Sequence, residues 1–143
     1  MARDLSLAVR KAIVGCLEDS PAVTAIVPAT RIHAVEAPAE PVWPFIRYGL
    51  ATALPFRASG IDGAKLAVTV HGFARGPQED AVAALGAAIA AALDGPDGRG
   101  LVLALDAEPP ATAHVAWTGS RTLRDGDEAG AYHVVVSFEV AAS

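Results

Sequence analysis

Leu66-Ala67-Val68-Thr69-Val70-His71-Gly72-Phe73-Ala74, with the alanine-rich run at 81–93 that follows it, sets two periodicities side by side. In the first, Leu66, Val68 and Val70 alternate with Thr69, His71 and Phe73, the two-residue repeat of a strand whose faces differ. In the second, Val82, Leu85, Ile89 and Leu93 recur at three- and four-residue steps, the apolar stripe of an α-helix. Ala81, Ala84, Ala88 and Ala92 flank that stripe, and small flanks let a helix lie close on a sheet. Gly76 and Pro77 separate the two elements, Glu79 and Asp80 place anions in the first turn, and Gly95-Pro96 ends the helix.

Outward from this strand–helix unit the chain extends in both directions. Toward the N-terminus, Phe45 to Ala51 reads as a strand with Phe45, Arg47 and Gly49 on one side and Ile46, Tyr48 and Leu50 on the other. Residues 30–44 hold Pro38, Pro41 and Pro44, so an extended connection is expected there, with a short strand near 31–35. Before it, Asp4 caps an amphipathic helix of about 14 residues carrying Leu5, Val9, Ala12, Ile13, Cys16 and Leu17. Ser20-Pro21 then starts one short helical turn. Toward the C-terminus three strands follow, at 101–105, 113–119 and 132–141. The last alternates Val134, Val136, Phe138 and Val140 with His133, Ser137 and Glu139. Residues 54–65 and 120–130, rich in glycine or charge, read as exposed hairpin arms.

This order lacks the regular strand–helix alternation of a doubly wound sheet. It predicts a single α+β domain over 1–143, with two main helices on one face of a largely antiparallel sheet of four to five strands.

Composition bounds the function. The chain has 143 residues, 11 basic and 16 acidic, for a net charge of −5, and its 52% hydrophobic content includes 32 alanines. That is too apolar for disorder and too acidic for coating nucleic acid. The longest charge-free helical candidate lies between Asp80 and Asp94, shorter than the roughly 20 residues a membrane span needs. Arg3, Asp4, Arg10 and Lys11 interrupt any signal-peptide core, so a cytoplasmic origin is expected. The lone Cys16 reads as a small core residue.

Catalytic patterns are weak. His71 and His133 fall on the polar parity of their strands, beside Thr69, Ser137 and Glu139, so a ligand or metal site from His71, His114 and His133, with or without enzymatic activity, is the alternative reading. The spacing is diffuse, and His33 adds no local pair. No G-x-S-x-G elbow is present; the glycine-rich stretches at 60–63 and 95–100 read as turns, and Asp125, Asp127 and Glu128 lack the spacing of a calcium loop. The expectation is therefore a non-enzyme without catalytic residues, cofactor or metal.

Several segments, in order, resemble the tail-completion family of long-tailed bacteriophages and phage-like gene transfer agents, also called tail terminators or head-tail joining proteins. They are the opening helix with Ser20-Pro21-Ala22-Val23-Thr24-Ala25-Ile26-Val27 and Thr30-Arg31-Ile32; Pro44-Phe45-Ile46-Arg47-Tyr48; Val68 to Ala74 leading into the alanine-rich helix; and residues 121–127 leading into Tyr132-His133-Val134-Val135-Val136-Ser137-Phe138. The resemblance covers nearly the whole chain. It implies a structural subunit of a homo-oligomeric ring, typically a hexamer, that caps the tail tube protein and meets the head-tail connector protein at the head-tail junction of a particle assembled in the bacterial cytoplasm. DNA would only pass through the lumen, with no membrane involved; another connector or tube component is the neighbouring alternative. The two arms then become candidate subunit interfaces, with Phe56 as an anchor and Arg57, Arg121, Arg124, Asp125 and Asp127 as complementary charges. The alanine content fits a prophage or gene transfer agent of a GC-rich host.

Overall fold

The computed structural model describes residues 3–58, 61–75, 80–95, 97–124 and 131–143, with backbone alone at 56–58 and 61. Helix α1 (Ser6–Glu18) turns Val9, Ile13, Val14 and Leu17 inward, as the heptad-like spacing requires. The Asp4 carboxylate accepts the Ser6 backbone N–H at 2.9 Å ahead of its first turn. The one-turn α2 (Pro21–Thr24) begins at Ser20, whose hydroxyl accepts from the Val23 N–H, with Pro21 at the first helical position. A 3-10 turn, Ala29–Arg31, leads into β1 (Ile32–His33). After the proline-containing connection come β2 (Phe45–Tyr48), β3 (Thr52–Ala58) and β4 (Ile61–Arg75), then α3 (Asp80–Asp94), β5 (Leu101–Leu105), β6 (Ala111–Arg124) and β7 (Ala131–Ala142).

The strands make one sheet in the order β1-β2-β4-β7-β6-β5, and β3 continues the β2 edge by pairing with β4. Every pairing is antiparallel except β1 with β2. The α+β class stands, but among the described residues the sheet is mixed and has seven strands instead of four to five; the short helical turn expected at Ser20-Pro21 is present beside the two long helices. Part of the difference comes from residues 54–65, expected as a loop or hairpin arm joining two strands and not as a strand in its own right. They are largely the β3–β4 hairpin, running from Thr52 opposite Ala67 to Ala58 opposite Ile61. Pro55 and Gly63 hide a strand there because the hairpin passes beyond the core, where backbone pairing holds it without an apolar face. Likewise β6 runs to Arg124, so half of the second arm is ordered strand; 125–130 lie outside the described residues.

One core separates helices from sheet. Val82, Leu85, Ile89 and Leu93 of α3 meet Leu66, Val68 and Val70 of β4 and Val134, Val136, Phe138 and Val140 of β7, all but excluded from solvent. Two glycines set how closely α3 lies on the sheet. A Cβ on Gly72 would stand 2.8 Å from Leu85 Cδ2, and one on Gly86 would stand 2.9 Å from Val134 Cγ2, inside van der Waals contact. Among the described residues the other face of the sheet carries no helix.

Candidate assembly surfaces

Strand register defines the uncovered face. Arg47, His71, Val135 and Arg121 lie in one row across β2, β4, β7 and β6, with His33 beside Arg47 on β1. Phe45, Phe73, His133 and Leu123 form the next row. The Phe45 and Phe73 rings stack at 4.4 Å, His133 stacks on Phe73 at 4.3 Å, and Trp43 meets both phenylalanines edge-on. The Arg75 guanidinium lies 4.4 Å over the Trp43 ring. Trp43 explains why two phenylalanines on a helix-free face are nonetheless buried.

His71 sits between partners. Its Nδ1 is 2.6 Å from His133 Nε2, and its Nε2 is 3.0 Å from Thr69 Oγ1. Burial, then the neighbouring His133 and Arg47, hold its pKa down at about 4, so near neutrality it is an uncharged ring within a hydrogen-bonded relay. The expected meeting of His71 with His133 and Thr69 is thus present. Ser137 pairs with Thr69 one row away, while Glu139 lies farther along β7 and forms an ion pair with Lys65 at 4.0 Å. His114 shares the face but stands opposite Ala141, remote from the other two, because β6 enters the sheet at its far end. Among the described residues no group of three or more histidine, cysteine or acidic side chains is placed to hold a metal.

The two arms leave opposite ends of β7. At one end, Ala142 is opposite Ala64, and the β3–β4 hairpin runs past it toward residues 59–60. Phe56 stands at the register position opposite Gly63 and Arg57 opposite Asp62; the side chains of Phe56 and Arg57 fall outside the described atoms. Leu54 on the same strand is exposed. At the other end, Arg121 and Arg124 are exposed on β6, Arg121 on the uncovered face and Arg124 opposite Tyr132 on the other parity. Asp125 and Asp127 lie outside the described residues.

Sequence reasoning did not single out Trp43, Arg47 or the groove between α1 and β2. Arg47 was visible in the alternation with Phe45, but its row partners come from strands distant in sequence. The groove measures about 420 Å³ and is lined by Leu7, Arg10, Val35, Tyr48 and Leu50, among others. The Tyr48 hydroxyl and Arg10 Nε are buried and have no hydrogen-bond partner among the described residues. Burial raises the Tyr48 pKa to about 12, against a smaller lowering by the Arg10 charge, so the hydroxyl keeps its proton and remains a donor.

A curled mixed sheet with helices on one face is also the fold of a known particle component. A chain of the solved structure "Virion of native gene transfer agent (GTA) particle" superimposes with a TM-score of 0.79, covering 99% of this chain and 98% of that one at 16% identity, a likeness of fold. The family described as "Tail completion protein gp17" matches residues 11–143, and the chain belongs to that family. It is accordingly a structural protein of the phage-tail type. No curated protein matches the sequence. Among the described residues no helix is long and apolar enough to cross a membrane.

Proposed function

We propose that the chain, as one domain over 1–143, is the subunit of an oligomeric ring that caps the tail tube and joins it to the head connector of a phage or phage-like particle. Membership of the tail-completion family over residues 11–143 carries this reading. Two hairpin arms at opposite ends of β7 support it, because a ring subunit needs separate surfaces for its neighbours above, below and beside it. Phe56, Arg57, Arg121, Arg124, Asp125 and Asp127 supply contacts on those arms, with Arg121 extended by Arg47 along the same row. The subunit works by shape and attachment instead of by catalysis.

At −5 per copy a hexamer carries a net −30, and such a ring lets DNA through without retaining it. Stable binding of duplex DNA by the assembled ring at physiological salt would contradict this part of the proposal. The function itself is tested by deleting the chain from a particle-producing cell and imaging the products. Unjoined heads and tube ends lacking a cap are expected, with joining restored by supplying the chain; normal joined particles in its absence would overturn the reading.

A further inference from the structure

The outer edge of β6 is open where the helix above it is also open. β5 pairs with β6 only as far as Val115, and among the described residues no strand pairs with the outer side of 116–124. The Trp117 N–H donates outward, to the Asp94 carboxylate at 3.1 Å. Past the irregularity between Trp117 and Gly119, backbone alternation turns the N–H groups of Ser120, Thr122 and Arg124 to the same outer side. On the helix-facing parity of β6, Ala111, Ala113 and Val115 are buried, whereas Trp117, Ser120 and Thr122 are exposed. Ala83, Ala87 and Ala91 of α3 are exposed as well, and with Trp117, Ser120 and Thr122 they line a slot of about 520 Å³. Unpaired backbone donors along one side and a ceiling of small residues give this slot the character of a vacant strand position.

The opposite margin of the same sheet carries a complementary edge. There β3 pairs with β4 alone. The Gly49 N–H donates to the Thr69 carbonyl, so Thr69 and, by alternation, Ala67, Lys65 and Gly63 turn their backbone groups toward the β2–β3 side. Their partners Thr52, Leu54 and Phe56 turn inward, which leaves the carbonyls of Ala53, Pro55 and Arg57 on the outer edge. Pro55 has no N–H to leave unpaired there, the position a proline takes on an edge strand. Three acceptors thus stand at the same two-residue spacing as the three donors of β6. Ala53 and Pro55 are exposed, and they are small enough to pass beneath an alanine ceiling. Among the described strands the other open edges do not serve: β1 has two residues, and β5 lies on the same margin as the slot.

We propose that the slot between α3 and β6 receives β3 of a second copy, its outer carbonyls accepting from Ser120, Thr122 and Arg124 and its Ala53 and Pro55 side chains lying under Ala83, Ala87 and Ala91. Residues directly paired across strands share a face, so the helix-bearing faces of the two sheets become continuous. The contact joins opposite margins of the sheet; it is therefore heterologous, and repeated around an axis it closes a ring. It rests on the ring reading above and specifies the lateral contact that would build the ring.

Amide hydrogen exchange tests it, compared between a dilute monomeric sample and a concentrated one, with assembly followed by sedimentation velocity. The amides of Ser120, Thr122 and Ala53 should exchange at least about tenfold more slowly in the assembled state. Ala87→Arg fills the slot from an exposed helix position with a good helix former, so it should leave the melting of the dilute protomer unchanged while weakening assembly by about tenfold or more. Ala87→Ser, which fits the slot, should assemble as the wild type does. If the wild type assembles without slowing exchange at these amides, or Ala87→Arg assembles equally well, the slot does not hold β3 while the ring stands. A wild type that stays monomeric at every concentration overturns both.

Discussion

Replacing Gly86 by alanine sets two opposed effects against each other. Gly86 lies inside α3, where alanine gains about 1 kcal/mol of helix propensity over glycine. The added Cβ would also stand 2.9 Å from Cγ2 and 3.5 Å from Cγ1 of Val134, which is 2% exposed. Normal carbon contact is about 3.5–4.0 Å, so helix or strand must shift by roughly half an ångström or more. Crowding of this kind costs about 1–3 kcal/mol, and the net effect expected is destabilisation by about 0–2 kcal/mol. Val134→Ala removes both interfering methyls at a cost of about 2–3 kcal/mol in lost burial and cavity. In that background Gly86→Ala should stabilise by about 1 kcal/mol, giving a coupling of about 1–3 kcal/mol between the two sites. Urea unfolding of the four proteins at one fixed protomer concentration measures it, since assembly itself raises apparent stability. A gain of about 1 kcal/mol from Gly86→Ala in the wild type, equal to that in the Val134→Ala background, would refute the close approach of α3 to β7.

Three further outcomes follow from the uncovered face and α1. His71 has a folded pKa of about 4 against an ordinary 6.5, so the unfolded chain takes up its proton first as pH falls. Its contribution is complete above about pH 6.5 and is lost between there and about 4; allowing for partial solvent screening it amounts to about 1–2 kcal/mol. His71→Phe should flatten that part of the pH dependence of urea midpoints, and an unchanged slope would contradict the assignment. Trp43→Ala should lower stability by about 1–3 kcal/mol and raise binding of a hydrophobic dye by uncovering Phe45 and Phe73; unchanged melting and dye binding would show that Trp43 does not cover them. The Cys16 thiol, raised in pKa by burial and then by Asp19, and pointing to the Ala92 carbonyl at 3.6 Å, should react with a disulfide reagent at pH 8 at least about tenfold more slowly than in the urea-unfolded chain. Equal rates would place it on the surface.

Elements that bury a face were legible in the sequence. The α3 stripe of Val82, Leu85, Ile89 and Leu93 and the alternation of β7 are core requirements, and periodicity reports the core. The β3 strand was not legible, because its pairing with β4 reaches past the core and carries Pro55 and Gly63. The short strand expected near 31–35 is present as β1, but its parallel pairing with β2 is set by tertiary packing and is not written in either segment. On the candidate surfaces, parity placed His71 with His133, whereas the alignment of Arg47 with Arg121 depends on register across four strands. Trp43 sits in a proline-containing connection with no repeat, so its position over Phe45 and Phe73 is a product of tertiary packing alone. The hydroxyl of Tyr48 is a case of the same kind: parity groups it with Ile46 and Leu50, and only packing buries it without an acceptor among the described residues.

Mass photometry of the purified chain, with negative-stain images of the same sample, bears most directly on its role as a ring subunit. One discrete oligomeric mass and annular particles of uniform diameter are predicted. Monomers at all concentrations, or open filaments that lengthen as protein is added, would contradict it.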